Sequence, residues 1–130
     1  MDSLALGKLF QPALEKMVTR ISGLRYGVLC TSDGFNLCSI GLTENQVGKM
    51  AALSSSLLSV GEAVVSTLEP DNTGAGGLDI MTMEAAGIQI VSTRIHRPGG
   101  YLILMAAAKA PLGVVLVGVK AAADDVKKLL

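Results

Sequence analysis

The chain has 130 residues, close to the commonest size of a single domain and long enough to bury a core. Half of its residues are hydrophobic and 17% are charged, whereas roughly a quarter of the residues in an average soluble domain are charged. Such a chain either crosses a membrane or buries more surface than a monomer can, usually against a second copy of itself. Eleven basic residues balance eleven acidic ones and four residues are aromatic. This composition argues against a basic, base-stacking surface for nucleic acid.

The main candidate for a membrane span is the apolar stretch 101–119. It carries Lys109 and Pro111 at its centre, and a central lysine costs roughly 2.5–3.5 kcal/mol on insertion scales. The beginning of the chain lacks the basic and apolar regions of a signal peptide. We therefore expect a cytoplasmic protein without direct membrane insertion.

The first 22 residues carry apolar side chains at helical spacing, with an interruption at Pro12. Proline is tolerated in the first turn of a helix but not in its interior. We therefore predict a helix over residues 12–22 that ends at Gly23, with residues 3–10 as a separate helical lead-in.

Two strand-like segments, residues 25–31 and 35–40, flank the pair Asp33-Gly34. An Asp-Gly pair between apolar runs predicts a hairpin with a type I′ turn, in which both central residues adopt positive φ. The sequence therefore predicts a two-residue hairpin loop at this position.

The two cysteines and the single histidine show no catalytic or metal-binding spacing. With a two-residue loop, Cys30 would face Leu37 and Cys38 would face Leu29, so the thiols would lie on opposite faces of the sheet and form no disulfide. A change of one residue in the loop would reverse that inference. His96 lies at a strand end without a third group to orient it, as nucleophilic catalysis requires. We predict no enzymatic activity, no metal site and no cofactor.

Thr43 and Gln46 form a capping box, which predicts the start of a helix of about 25 residues that ends before Pro70. The glycine-rich segment 71–77 is typical of a flexible loop.

This long helix has two distinct arcs when residues 47–68 are placed at about 100° intervals. A broad apolar stripe is expected to lie on the sheet, with Ser54 and Gly61 among its apolar members Val47, Met50, Ala51, Leu53, Leu57, Leu58, Val64, Val65 and Leu68. The opposite arc is small and nearly uncharged, and we define its small-residue lane as Gly48, Ala52, Ser55, Ser59, Ala63 and Ser66. Such a lane is either a weakly polar solvent face or a surface where another backbone approaches closely. The low overall charge favours the second interpretation.

Three further strands are predicted over residues 78–84, 88–95 and 101–107, joined by short turns as an antiparallel meander. The last of them is nearly continuous in apolar residues, which predicts a central strand covered on both faces. A final helix is predicted over residues 111–130, with Pro111 at its first position. The fold class is therefore α+β, a five-stranded antiparallel sheet with the long helix on one face and the terminal helices on the other.

Three parts of the sequence together resemble the roadblock family, which includes dynein light-chain roadblock proteins, Ragulator subunits and bacterial regulators of Ras-like GTPases. They are the strand Gly27-Val28-Leu29 leading to Ser32-Asp33-Gly34-Phe35, the small-residue helix 50–62, and the meander running into Leu112-Gly113-Val114. The resemblance covers about residues 12–128 and implies one domain over residues 1–130 of profilin-like or roadblock type. Residues 1–11 form an N-terminal extension that departs from the compact family pattern, as does the loop at 70–77.

The resemblance implies a non-catalytic homodimer, or a higher even oligomer, that binds a small Ras-like GTPase and modulates its nucleotide cycle or localisation. In such dimers the sheets join through the third strand, here an edge strand over residues 78–83, and the two long helices form a platform for the GTPase. The implied dimer-interface residues are Ser54, Ser55, Leu58, Gly61, Glu62, Leu78, Ile80, Met81 and Met83. The implied platform residues are Glu44, Gly48, Lys49, Ala52, Ser56, Ser59 and Ala63.

No catalytic arginine is identified, although Arg94 and Arg97 are candidate contacts to a partner. Two alternatives stay open. One is an adaptor subunit of a motor or membrane-associated complex without a GTPase partner. The other is a small-ligand-sensing domain, which is disfavoured by the small number of convergent polar groups.

Overall fold

The computed structural model describes residues 2–72 and 78–130. The bounds of its elements are α1 Ser3–Arg20, β1 Leu24–Thr31, β2 Asn36–Ile40, α2 Glu44–Leu68, a short 3-10 helix Pro70–Asn72, β3 Ile80–Ala85, β4 Ile88–Arg97, β5 Gly100–Ala108 and α3 Leu112–Lys128. The described strands form one antiparallel sheet in the order β2-β1-β5-β4-β3, with helices on both faces.

The sheet separates two apolar layers, as the sequence predicts. On one face α1 and α3 bury side chains such as Phe10 and Val119 against Leu104 of the sheet. On the other face α2 buries Leu58 against Ile103. The central position of β5 and the α+β fold class are therefore confirmed.

The first helix is continuous through Pro12, so the prediction of a helix that starts there after a separate lead-in is wrong. Asp2 caps the helix, since its carboxylate accepts a hydrogen bond of 2.8 Å from the backbone N–H of Ala5. Phe10 is fully buried in the core. Tertiary packing of the early turns therefore outweighs the hydrogen bond that proline cannot make.

The β1–β2 hairpin has a three-residue loop instead of the predicted two-residue type I′ turn. Gly34 has φ +92°, whereas Asp33 is not among the described residues with positive φ. The backbone N–H of Gly34 donates to the carbonyl of Thr31 at 3.0 Å, and the N–H of Thr31 donates to the carbonyl of Phe35 at 2.9 Å. The loop is thus one residue longer than predicted, with glycine at the left-handed position.

The longer loop changes the pairing of one cysteine but not the conclusion about the thiols. Cys38 lies opposite Leu29 as predicted, but a register shift places Cys30 opposite Asn36 and not Leu37. Cys38 packs in the layer of α1 and α3, and Cys30 packs in the layer of α2. Both are buried and unpaired on opposite faces of the sheet, as expected.

The remaining boundaries differ from the predictions by at most two residues. β3 begins at Ile80 instead of residue 78, and β4 extends to Arg97. Pro111 immediately precedes α3 instead of starting it. The loop predicted at 71–77 lies largely outside the described residues.

Within the described part of the chain, α2 is long and apolar enough, by length and composition alone, to cross a membrane, with a mean hydropathy of 1.4. The stretch 101–119, which the sequence offers as a candidate span, instead forms most of β5 and the start of α3. Three residues of α2 are fully buried in the protein, Ala51, Ser54 and Leu58. Much of the apolar surface of α2 therefore points away from the core.

Candidate functional site

The contact between α2 and the sheet is narrower than the sequence predicts. α2 packs on β1, β2 and β5, and the predicted apolar stripe is only partly covered. Leu53, Val64 and Leu68 remain 44%, 52% and 73% exposed, although the stripe was expected to lie on the sheet. One sheet contact covers only part of the circumference of a helix, so a stripe this wide cannot be buried within one protomer.

The uncovered residues continue as a row along one side of the helix. The row consists of Leu53, Leu57, Val60, Val64 and Leu68, which follow one another at intervals of three or four residues and so lie on one side of α2. Leu57 is half-buried and also packs against the core, whereas the other four are exposed. We call these five residues the apolar flank. Val60 is 62% exposed and was not assigned to any surface by the sequence pattern. The regular spacing of these residues is the signal by which the sequence could have revealed the apolar flank. The predicted apolar stripe included four of them together with the residues that the sheet buries, so the flank was not distinguished.

The apolar flank borders the β3 edge of the sheet. A Cβ atom added to Gly61 would lie 2.5 Å from Leu78 Cδ2 and 3.0 Å from Met81 Cε, so α2 approaches the start of β3 closely there. β3 is an outermost strand, as predicted. Met81 and Met83 are both partly exposed. Two surfaces suited to association therefore lie side by side, an exposed apolar helix face and a strand edge that no other described strand pairs with.

The small-residue lane has an intramolecular use that the sequence did not indicate. The Ser55 hydroxyl donates a 2.6 Å hydrogen bond to the carbonyl of Ser32 at the hairpin tip. A Cβ atom added to Gly34 would lie 3.2 Å from the Cα of Ala52. Small side chains on this part of α2 therefore allow the β1–β2 hairpin to pack closely against the helix.

Two residues assigned to the dimer interface belong instead to the core. Ser54 and Leu58 have no exposed surface. The Ser54 hydroxyl lies 2.7 Å from the Met50 carbonyl, to which it donates, and 3.4 Å from Met105 Sδ. The helical phase that puts Ala51 on the sheet also puts these two residues there, so they are unavailable to a partner.

A buried arginine fixes the C-terminal half of α2 to the sheet. Arg94 forms an ion pair with Glu62, and its guanidinium lies 4.4 Å from the centroid of the Tyr101 ring. Its side chain is only 7% exposed. Arg94 therefore serves an internal contact and not the external one considered from the sequence, and Glu62, assigned to the dimer interface, is engaged within the protomer.

The assigned β3 residues divide between the two faces of the sheet. Ile80 pairs with Thr93 and packs on the layer of α1 and α3. Met81 and Met83 alternate with it and lie on the α2 face. The structure therefore places both methionines on the α2 face of the sheet, with Met81 beside Gly61 of that helix, and places Ile80 on the opposite face.

The seven platform residues are all exposed on α2: Glu44, Gly48, Lys49, Ala52, Ser56, Ser59 and Ala63. At the helical repeat they fall within one outward arc of roughly 140°. This arc begins beside the buried Ala51 and extends to the side of the helix opposite the sheet. All seven platform residues are nevertheless accessible to a partner.

The titratable groups of the described residues form no compact reactive cluster. His96 is exposed and its Nε2 lies 3.5 Å from Asp79 Oδ1. No group of three or more histidine, cysteine or acidic residues in the described part of the chain could hold a metal ion. Burial raises the pKa of Cys30 to about 12, with the charge of Asp33 adding to the effect, and burial also raises the pKa of Cys38 to about 12. Both thiols are therefore protonated and weakly nucleophilic at neutral pH.

Solved structures with the same architecture exist, although no family model and no curated protein matches the chain. MglB from Myxococcus xanthus superposes with a TM-score of 0.77 at 17% identity, over 95% of this chain and 88% of that chain. A structure of MglB with a tetrameric arrangement gives a TM-score of 0.77 at 18% identity, over 96% and 90% of the two chains. A roadblock/LC7 domain from Streptomyces avermitilis gives 0.72 at 21% identity, over 88% and 91%. The chain therefore has the roadblock fold that the sequence resemblance implied.

Proposed function

We propose that this chain is a non-catalytic, cytoplasmic regulator of roadblock type that forms a homodimer or higher even oligomer and binds a small Ras-like GTPase. The observation that carries the proposal is the apolar flank beside the unpaired edge of β3. Single exposed apolar side chains are ordinary on soluble proteins, but a contiguous row marks an interaction surface. A tetrameric arrangement of MglB, which has the same fold, supports self-association.

Pairing of two copies through β3 and the apolar flank would set two α2 helices side by side. Full burial contributes roughly 1.5–3 kcal/mol for each valine or leucine. Several such residues on each copy offset the approximately 4–15 kcal/mol that association costs in lost freedom. The interface proposed here differs from the one implied by the resemblance, since it is centred on Leu53, Val60 and Val64 and not on Ser54 and Leu58.

Light scattering on the purified protein tests the self-association. We expect a dimer or larger even oligomer at micromolar concentration, and a monomer after Val60→Lys. Ser59→Lys is the matched control, because Ser59 is the adjacent exposed residue but belongs to the small-residue lane. A monomeric wild-type protein, or equal oligomers for both variants, would contradict the proposed interface.

The same pair of variants separates the dimer from the GTPase platform. In the paired arrangement the platform residues, which are exposed on α2, would lie away from the second copy, where a GTPase can dock. Ser55 of the small-residue lane is instead engaged with the hairpin. We expect Ser59→Lys to retain the dimer but to weaken GTPase binding at least tenfold, since a long cation replaces a small side chain in a close contact. Calorimetric titration with the small Ras-like GTPases of the same genome, loaded with GDP or with a non-hydrolysable GTP analogue, measures this loss.

If no GTPase binds in either nucleotide state while the dimer stays intact, the proposed GTPase partner is wrong. The chain would then act as an adaptor subunit of a larger complex. The apolar flank supports self-association in either case, so the light-scattering result does not depend on the identity of the partner.

A further inference from the structure

A cavity of about 500 Å³ lies beside the N-terminal half of α2, on the opposite side of that helix from the small-residue lane. Its volume is within the range of roughly 300–1,000 Å³ that small-molecule sites occupy. Met50 and Leu53 line it from the helix, and Val28, Ile90 and Met105 line it from the sheet. The function proposed above uses Leu53 and Lys49 at the rim of this cavity but gives the space between the helix and the sheet no role.

A short side chain in the central strand accounts for the hollow. Ala107 of β5 lies between Tyr26 of β1 and Ile90 of β4 in the pairing register. The methyl group of Ala107 leaves space above the sheet, whereas Met105, two residues earlier on the same face, fills it. The cavity therefore results from the residue types of the sheet and not from a displaced loop.

The polar groups around the cavity restrict what it can bind. Among the described residues that line it, Lys49 is the one charged side chain, and no carboxylate is present. The other polar side chains are Tyr26 and Gln46, and the Oε1 atom of Gln46 already accepts a 3.0 Å hydrogen bond from the N–H of Thr43. A sugar or nucleotide would leave most of its hydrogen-bonding groups unsatisfied here. An apolar body with one anionic group matches the lining.

We propose that this cavity binds a linear fatty acid. The hydrocarbon chain lies against Val28, Ile90, Met105 and Ala107, and the carboxylate lies near the ammonium group of Lys49 at the mouth. This inference does not depend on the proposed GTPase partner. It does share Leu53 with the apolar flank and Lys49 with the platform residues. The titrations use the purified protein without a GTPase, so occupation of the cavity by a second copy of the chain is the outcome that the test must distinguish.

Calorimetric titration of the delipidated protein with saturated fatty acids, from octanoate to palmitate, tests the proposal. Each methylene that enters the cavity should tighten binding by about fourfold, until the space is filled and the affinity levels off. Absence of binding, or an affinity that does not change with chain length, would overturn the proposal.

Two variants locate the ligand. Ala107→Leu fills the hollow and should weaken binding at least tenfold, with circular dichroism to confirm the fold. Lys49→Gln should weaken binding of the fatty acid but not of the fatty alcohol of equal length, and this comparison stands even if Ala107→Leu does not fold. Lys16→Gln, an exposed lysine on α1, is the charge-matched control and should leave binding unchanged.

Unchanged binding in both cavity variants would overturn the proposal. Binding that appears only in the monomeric Val60→Lys variant would assign the cavity to the second copy of the chain and would also overturn it. Because none of these readouts involves a GTPase, failure here is distinguishable from failure of the proposed function.

Discussion

At the scale of single residues, two helical glycines occupy opposite environments. A Cβ atom at Gly7 would overlap the carbonyl oxygen of Leu37, whereas a Cβ atom at Gly48 has nothing within 4 Å. We expect Gly7→Ala to lower the free energy of unfolding by about 1–3 kcal/mol, because rigid backbone must move. Gly48→Ala should raise it by about 0.5–1 kcal/mol through helix propensity.

Urea denaturation of the two alanine variants measures this difference. Opposite signs support the close packing of α1 on β2, and each variant serves as the control for the other. Stabilisation by both substitutions would mean that α1 lies farther from β2 than described.

The two buried thiols predict a loss of stability at high pH. Burial, and for Cys30 also the charge of Asp33, raises the pKa of each thiol from 9.0 to about 12. Because the folded-state pKa is raised, each protonated thiol contributes stability that is fully present below pH 9 and is lost as the pH rises through 12. Between these limits each thiol should remove about 1.4 kcal/mol from the free energy of unfolding per pH unit.

Comparison with a double variant isolates this contribution from other titrating groups. The slope of unfolding free energy against pH above 9 should be steeper in the wild type than in Cys30→Ala with Cys38→Ala. Equal slopes would show that the thiols are not buried. Slow alkylation of the native protein, with fast alkylation after denaturation, is the independent check.

At the scale of elements, Pro12 weakens a helix that the core holds together. It lies within α1, on an exposed position, where it cannot donate to the carbonyl of Lys8. Pro12→Ala should raise the free energy of unfolding by about 1–3 kcal/mol, after allowance for the more flexible unfolded chain. Thermal unfolding measures the gain, and Glu15→Ala on the same exposed side should change stability by less than about 0.5 kcal/mol. A loss of stability on removing the proline would show that the helix is already broken there.

The elements that the sequence predicted best are those specified by local chemistry. The capping box places the start of α2, and the continuous apolar run of β5 places that strand at the centre of the sheet. The hairpin loop was mispredicted because Asp33-Gly34 suits two kinds of turn, and cross-strand packing decides between them. α1 was divided at Pro12 because the sequence does not show how firmly Phe10 is buried.

The candidate site was predictable in outline but not in detail. The sequence identified α2 as the informative helix and β3 as an edge strand. The helical pattern placed Ser54 and Leu58 on the sheet, where the structure has them, whereas the resemblance implied that they belong to an interface. The pattern could not show how much of the apolar stripe the sheet covers, and it left out Val60. The angular position of a helix on a sheet is set by tertiary contacts such as the one between Gly61 and Met81.

At the scale of the whole molecule, the proposed association through the apolar flank and the β3 edge would account for a composition more hydrophobic than one protomer needs. Self-association through these surfaces is possible for the folded chain but not for the unfolded one. A higher protein concentration therefore stabilises the folded chain by mass action. We therefore expect the Tm to rise with protein concentration.

The rise of the Tm with protein concentration should depend on which side of α2 is substituted. Calorimetry over a wide range of concentration should show a rising Tm for the wild type and for Ser59→Lys, but a constant Tm for Val60→Lys. Both positions are exposed and adjacent on the helix, so a lysine has a similar intrinsic effect at each, and the difference reports the buried flank. A Tm independent of concentration in all three proteins would mean that the apolar flank stays in contact with water. The surplus hydrophobicity of the chain would then have to be accounted for by another partner.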